Sequence, residues 1–292
     1  MKLERGTTVL ELLNRATQLQ RKKSIADDYQ AKVFNLLMKN MTYYSPSSFD
    51  DFWEWLEQNM NLELYKDLKM LYVGSCPGHI WIQRPRVSQL NIEIIDQSLL
   101  NVKFAQQRML ANNFLVPIHH MCDTQLKYES HTFDCVFSRI AFQVQTIDEQ
   151  MKSLNEAQRV LRPKGIHYIL VNESGPLDTL YQLMREFDDT IQIINNYEAT
   201  IIDTHYCLNK LYEEVELKDY EASHLIHDAK QCMTLFLTYE DSNFIEYVVK
   251  RHLGKRFNEF LQNKIQTQGS INLKRKYRLF KCENKKKQLG QF

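Results

Sequence analysis

The chain has 292 residues, 43% of them hydrophobic, with 37 lysines and arginines against 36 aspartates and glutamates. That length supports the core of one large α/β domain with an appended cap, and the near-cancelled charge excludes a global field that would draw the molecule to nucleic acid or an anionic membrane. The cysteines Cys76, Cys122, Cys135, Cys207, Cys232 and Cys282 form no C-x-x-C pair, which argues against a structural zinc site or disulfide framework and for reduced thiols in a cytosolic (cytoplasmic) protein. Neither an export signal nor a run of about 18 apolar residues is present, so no membrane partner is expected.

In chain order, Ser24 and Asp27 resemble a capping signature, and Ile25, Tyr29, Val33, Leu36 and Leu37 follow at helical spacing. Phe49, Phe52, Trp53, Leu56 and Met60 repeat that period beyond the loop Tyr43–Ser48, so residues 1–65 read as a helical extension. The aromatic cluster of Tyr43, Tyr44, Trp53 and Trp55 is expected to pack, with substrate contact as the alternative.

From Leu68 short apolar runs alternate with helical stretches, the rhythm of a parallel sheet. Strands are expected near 69–73, 91–95, 115–119, 133–137 and 166–171, with helices over 79–88, 98–112 and 147–161. The last of these stops at Arg162-Pro163-Lys164-Gly165. Past Gly175-Pro176 the rhythm breaks into a helix around 177–187 and a polar, tyrosine-rich stretch to about 230. An insertion there would lie above the carboxyl ends of the strands, so 175–230 is the candidate substrate lid on a domain spanning 66–292. Helical patterns at 241–251 and 255–266 precede a closing strand over 271–280.

Only eight glycines occur, yet Gly74 and Gly78 sit four apart just after the apolar run Met70–Val73. A strand ending in such a turn lets a backbone approach a ligand where a Cβ would collide. Asp96 closes the next apolar run at about the interval of roughly 20 residues at which nucleotide-binding folds place an acid for ribose hydroxyls. The pairing points to a nucleoside pocket, although the full G-x-G-x-x-G fingerprint of a dinucleotide-binding dehydrogenase is missing.

Two later segments carry a more specific likeness. Cys122-Asp123 followed by Phe133-Asp134-Cys135-Val136-Phe137-Ser138-Arg139, and then Glu156-Ala157-Gln158-Arg159-Val160-Leu161-Arg162-Pro163-Lys164-Gly165, resemble in order the motifs of class I S-adenosylmethionine (SAM)-dependent methyltransferases. The resemblance covers about residues 68–172 and implies a doubly wound, mostly parallel seven-stranded sheet of Rossmann-like type. It implies SAM as cofactor, S-adenosylhomocysteine as product and no metal. By that likeness Tyr72, Gly74, Ser75, Cys76 and Gly78 would cradle the methionine part, while Asp96 and Gln97 would meet the ribose. Cys122 and Asp123 would meet the adenine, and Ser138, Arg139 and Gln143 would border the transferring methyl.

The chain departs from the family where an acid usually ends the first strand, here Tyr72, and where a middle glycine is usual, here Cys76. Pro77 keeps Cys76 extended, yet a thiol-bearing Cβ narrows the ligand's approach. Phe142-Gln143 replaces the family's frequent aromatic-histidine pair and removes one common general base. His119-His120, without carboxylates at ligand spacing, reads as structural.

The carboxyl half, with Gly175-Pro176-Leu177, Cys232-Met233-Thr234-Leu235-Phe236 and Leu273-Lys274-Arg275-Lys276-Tyr277-Arg278, is similar to the 23S rRNA guanine-N1 methyltransferases, without their four-cysteine zinc domain. Ser138 to Gln143 is also similar to carboxyl O-methyltransferases that act on carrier-protein thioesters. Three expectations stand: methyl transfer to a small-molecule or carrier-bound metabolite, RNA base methylation with the lysines and arginines of 274–287 on phosphates, or a catalytically degenerate binding module.

Overall fold

A computed structural model describes residues 46–61, 67–74, 91–139, 147–174, 176–192, 197–239 and 244–283. The chain divides into two compact bodies, one of 50–173, 196–220 and 276–292, the other of 1–49, 174–195 and 221–275. Seven strands, β1 (Lys69–Val73), β2 (Asn91–Asp96), β3 (Ile118–His120), β4 (Phe133–Arg139), β5 (Leu161–Ser174), β6 (Val215–Ile226) and β7 (Ile271–Glu283), form one sheet in the order β3-β2-β1-β4-β5-β7-β6. The pairs β1–β2, β1–β4, β2–β3 and β4–β5 are parallel. The helices are α1 (Pro46–Met60), α2 (Leu99–Ala111), α3 (Ile147–Val160), α4 (Pro176–Phe187), α5 (Tyr197–Leu211), α6 (Ala229–Tyr239) and α7 (Gly254–Gln268), with a π-helical turn at Ile245–Val249.

In the first body both sheet faces are apolar, as parallel strands require. Leu71, Val73, Ile95 and Val136 pack on one face with Ala157 and Val160 of α3. Farther along that helix Leu154 joins Ile169 and Val171 of β5, Cys207 and Leu208 of α5, and Phe280 and Cys282 of β7. The helix can do this because Gln150, Ser153, Leu154, Ala157 and Val160 form its buried stripe, while Asp148 and Glu149 in its first turn and Arg159 in its last suit the helix dipole. Elsewhere Tyr72 stacks on Phe137 with centroids 5.2 Å apart, and the Tyr168 hydroxyl donates to the Met60 carbonyl at 3.1 Å. Phe52 of α1 lies 4.5 Å from Tyr277 and 5.4 Å from Tyr220, ring to ring. The second body has its own aromatic core, in which Phe244 stacks on Phe236 at 4.4 Å and Phe257 meets both.

Most elements lie where the sequence placed them, with four differences. β3 spans Ile118–His120 rather than 115–119: the Pro117 carbonyl accepts the Ile94 amide, and the first paired residue is Ile118. α3 ends at Val160 and β5 starts at once at Leu161. The Arg-Pro-Lys-Gly turn survives as a register shift, in which Phe133 pairs with Leu161 but Cys135 with Ile166. Lys164 takes a positive φ there, and a Cβ on Gly165 would stand 2.9 Å from the Arg162 carbonyl and 3.1 Å from that of Asp134. The helix expected around 177–187 is α4, but the polar, tyrosine-rich stretch after it contributes the further helix α5 and the sheet strand β6. The helix expected at 241–251 is a π turn within the described residues. The helix expected at 79–88 and residues 1–45 of the extension expected over 1–65 fall outside them.

Register fixes what matters for function. Val73 pairs with Ile95 on one side and with Ser138 on the other, so the next residues along, Gly74 just past β1 and Asp96 and Arg139 at the last positions of β2 and β4, come side by side at the carboxyl edge of the sheet. Here the strand order diverges from β1, toward β2 on one side and β4 on the other, which makes this the switch-point crevice of an open α/β sheet.

Candidate functional site at the carboxyl edge of the sheet

Gly74 leaves β1 with φ +85°, and its amide donates to the Ile95 carbonyl at 3.0 Å. A Cβ in this position would lie 3.0 Å from the Arg139 carbonyl oxygen. Only glycine combines that backbone conformation with that proximity.

Asp96 ends β2 and is only 7% exposed. Its Oδ1 accepts the Ser98 amide at 2.8 Å, and Asn101 Nδ2 lies 3.2 Å from Oδ2 and 3.3 Å from Oδ1. Ser98 in turn caps α2 by accepting the Asn101 amide. The acid is therefore held by the helix start that follows it.

The Met121 amide donates to the Asp96 carbonyl at 3.0 Å, so the turn carrying Cys122 and Asp123 begins beside Asp96. Asp123 is 8% exposed, whereas Cys122 is exposed with its Sγ 3.0 Å from the Thr124 hydroxyl. The Glu156–Arg159 pair fixes what comes next. Glu156 Oε2 accepts the Leu126 amide at 2.7 Å, and Arg159 donates to the carbonyls of Tyr128 at 2.7 Å and Leu126 at 2.9 Å as well as to Glu156 itself. The arginine's hydrogen bonds hold the Glu156 carboxyl below the ordinary range. Asp134 has a comparable duty at the far end of β4, accepting two bonds from Arg162 and one from the Lys69 amide. The resemblance was carried partly by residues that clamp the site's walls and do not line it.

Ser138, 2% exposed, and Arg139, 7% exposed, end β4. The Ser138 hydroxyl lies 2.9 Å from His167 Nε2, and His167 Nδ1 lies 2.8 Å from the Tyr212 hydroxyl. His167 is wholly buried, and desolvation lowers its pKa to about 3. The same burial pushes Tyr212 well above the phenolic range.

Of the residues expected at the site, the structure brings Gly74, Asp96, Ser138 and Arg139 to one edge, with Gln97, Cys122 and Asp123 on the adjoining turns. Gln97 is exposed, and its carbonyl meets His120 Nε2 at 2.9 Å. Tyr72 faces into the core, fully buried against Phe137. Ser75, Cys76, Gly78 and Gln143 lie outside the described residues. Asn101, His167 and Tyr212 were missed. A detectable sign of one was the polar His167 inside the apolar run Ile166–Val171.

Comparison with known proteins gives a family match over the middle of the chain. Residues 71–169 match the model of a family described as a methyltransferase domain. No curated protein matches the chain. Among solved structures, the chain is similar to a candidate methyltransferase of Bacillus halodurans at 17% identity, covering 74% of this chain and 92% of that one with a TM-score of 0.43. It is similar to the YcgJ protein of Bacillus subtilis at 14% identity, covering 78% and 99% with a TM-score of 0.44. It is also similar to a candidate S-adenosyl-L-methionine-dependent methyltransferase of Methanococcus maripaludis at 16% identity, covering 62% and 85% with a TM-score of 0.44. Gly74, Asp96, Asp123, Ser138 and Arg139 all lie inside the methyltransferase domain, as do the clamps Asp134, Glu156 and Arg159.

The basic strand β7 is largely self-neutralised. Arg278 Nε lies 3.2 Å and Lys276 Nζ 3.7 Å from the Asp219 carboxylate of β6, and Lys281 pairs with Glu216 at 3.0 Å and Glu283 at 3.5 Å. Lys285, Lys286 and Lys287 lie outside the described residues. No described helix is long and apolar enough to cross a membrane.

Proposed function

We propose that the chain is a SAM-dependent methyltransferase acting on a small-molecule or carrier-bound metabolite. The observation that carries this reading is the convergence of the Gly74 turn, the Asp96 carboxylate and the end of β4 at the switch point, inside a stretch matched as a methyltransferase domain. A glycine where the chain leaves β1, beside a buried, pre-oriented carboxylate, suits a nucleoside with an amino-acid tail. Asp96 would accept the ribose hydroxyls, Asp123 the adenine amino group, and the turn from Gly74 would hold the methionine part. When bound, SAM supplies an activated methyl on a sulfonium. The protein's residues supply position, since the hydrogen bonds that Asp96 accepts from Ser98 and Asn101 hold the carboxylate ready to meet the ligand without reorganising. The ion pairs between β6 and β7 favour a metabolite over RNA as acceptor, because cations already matched to carboxylates release fewer counterions on a phosphate backbone.

The test is calorimetric. Asp96→Ala, which removes a charged acceptor of two hydrogen bonds, is expected to weaken SAM binding roughly 100-fold, while the control Lys255→Ala, a change at a side chain 90% exposed, leaves it unchanged. Wild-type protein that binds neither SAM nor its demethylated product would overturn the reading.

A further inference from the structure

We propose that His167 and Tyr212 are positioning residues that fix the Ser138 hydroxyl as a hydrogen-bond donor to the carboxylate of the methionine part of SAM. The inference rests on the cofactor reading above and assigns a recognition element to that site.

Three side chains form a chain of two hydrogen bonds, Tyr212 to His167 at 2.8 Å and His167 to Ser138 at 2.9 Å. Among the described residues these are the only hydrogen bonds the three side chains make. Its polarity follows from counting hydrogens. Tyr212 is 3% exposed and keeps its proton, because burial raises its pKa. A buried phenol with a single partner donates to that partner, since an orphaned O–H loses its full solvation. His167 Nδ1 is therefore the acceptor. Burial keeps the ring neutral at working pH, so its one hydrogen sits on Nε2 and is donated to the Ser138 oxygen. The serine's own hydrogen is then directed away from His167 and is committed as a donor.

Position supplies the ligand. Ser138 pairs in register with Val73, the residue just before Gly74, and the Gly74 turn is where the methionine part is read to lie. That part carries one strong acceptor, its carboxylate, and one donor, its ammonium. A serine held as a donor discriminates in favour of the carboxylate. His167 cannot serve as a general base in this arrangement, because its Nδ1 lone pair is occupied and its Nε2 is protonated.

Two measurements on the full-length protein test the proposal. Nitrogen NMR of the free protein should show His167 protonated at Nε2 and bare at Nδ1, and the Nδ1-protonated tautomer would overturn the proposal. Calorimetry should compare SAM with its decarboxylated analogue. Ser138→Ala and Tyr212→Phe are each expected to weaken SAM binding about fivefold while leaving the analogue's affinity unchanged, and Ser138→Thr, which keeps the hydroxyl, should retain the wild-type preference. Equal losses for both ligands in Ser138→Ala would overturn the proposal while leaving the cofactor reading intact. Failure of the wild type to bind either ligand would remove both.

Discussion

Gly74→Ala is expected to destabilise the protein by about 2–4 kcal/mol, the sum of a left-handed backbone penalty and of crowding in a packed site. The φ of +85° cannot relax cheaply, because the amide of the same residue is bonded to the Ile95 carbonyl at 3.0 Å. The new Cβ would meet the Arg139 carbonyl at 3.0 Å, a backbone atom in a paired strand that has no side-chain freedom with which to yield. Gly269 provides the internal control, since its φ of +81° imposes a similar strain with nothing within 4 Å of an added methyl. Urea unfolding of the two alanine variants separates strain from crowding. Gly269→Ala should lose about 1–2 kcal/mol, and Gly74→Ala clearly more. Equal losses would mean that the β1 turn is not crowded against β4, and the case for a close ligand approach there would weaken with it.

The second large effect is a pH dependence centred on His167. Its folded pKa, lowered by burial to about 3, lies below the value of roughly 6.5 expected for an unfolded chain. The unfolded state therefore takes up a proton that the folded state refuses, and stability falls as the pH drops from about 6.5 toward 3. At pH 4 the histidine's contribution is a loss of roughly 3 kcal/mol, nearly absent at pH 7.5. Carboxylates titrate over the same range, so the quantity to measure is the difference between wild type and His167→Gln. Wild type should lose its stability advantage over the variant as the pH is lowered, by roughly that amount. A difference independent of pH between 7.5 and 4 would mean that His167 is reached by water and the relay to Ser138 is open.

What could be read in the sequence follows from where each residue's partners lie. The central strands were legible because Met70–Val73, Ile92–Ile95 and Phe133–Phe137 are apolar runs interrupted only by Glu93 and Asp134, the mark of strands covered on both faces. β6 was not, because an edge strand need not be apolar. Val215–Tyr220 places Glu216, Lys218 and Asp219 among its side chains, and the two acids answer cations on β7, which lies about 55 to 65 residues downstream. The positions of Gly74 and Asp96 follow from local turn chemistry and could be found from spacing. Tyr212 could not, and His167 showed only as a polar residue inside an apolar run, since the hydrogen bond that joins the two spans 45 residues in sequence. Glu156 and Arg159 fall between these cases. Their motif was recognisable, but their work, holding the loop after Asp123, appears only once Leu126 and Tyr128 are brought against α3.

The most direct measurement is a crystal structure of the full chain grown with S-adenosylhomocysteine. The account predicts the ligand along the carboxyl edge of the sheet, with both ribose hydroxyls on the Asp96 carboxylate, the purine amine at Asp123 and the amino-acid tail between β1 and β4, along the turn from Gly74 toward Ser138. Density for the nucleoside at any other place, or a crevice filled by the protein's own side chains at saturating ligand, would contradict it.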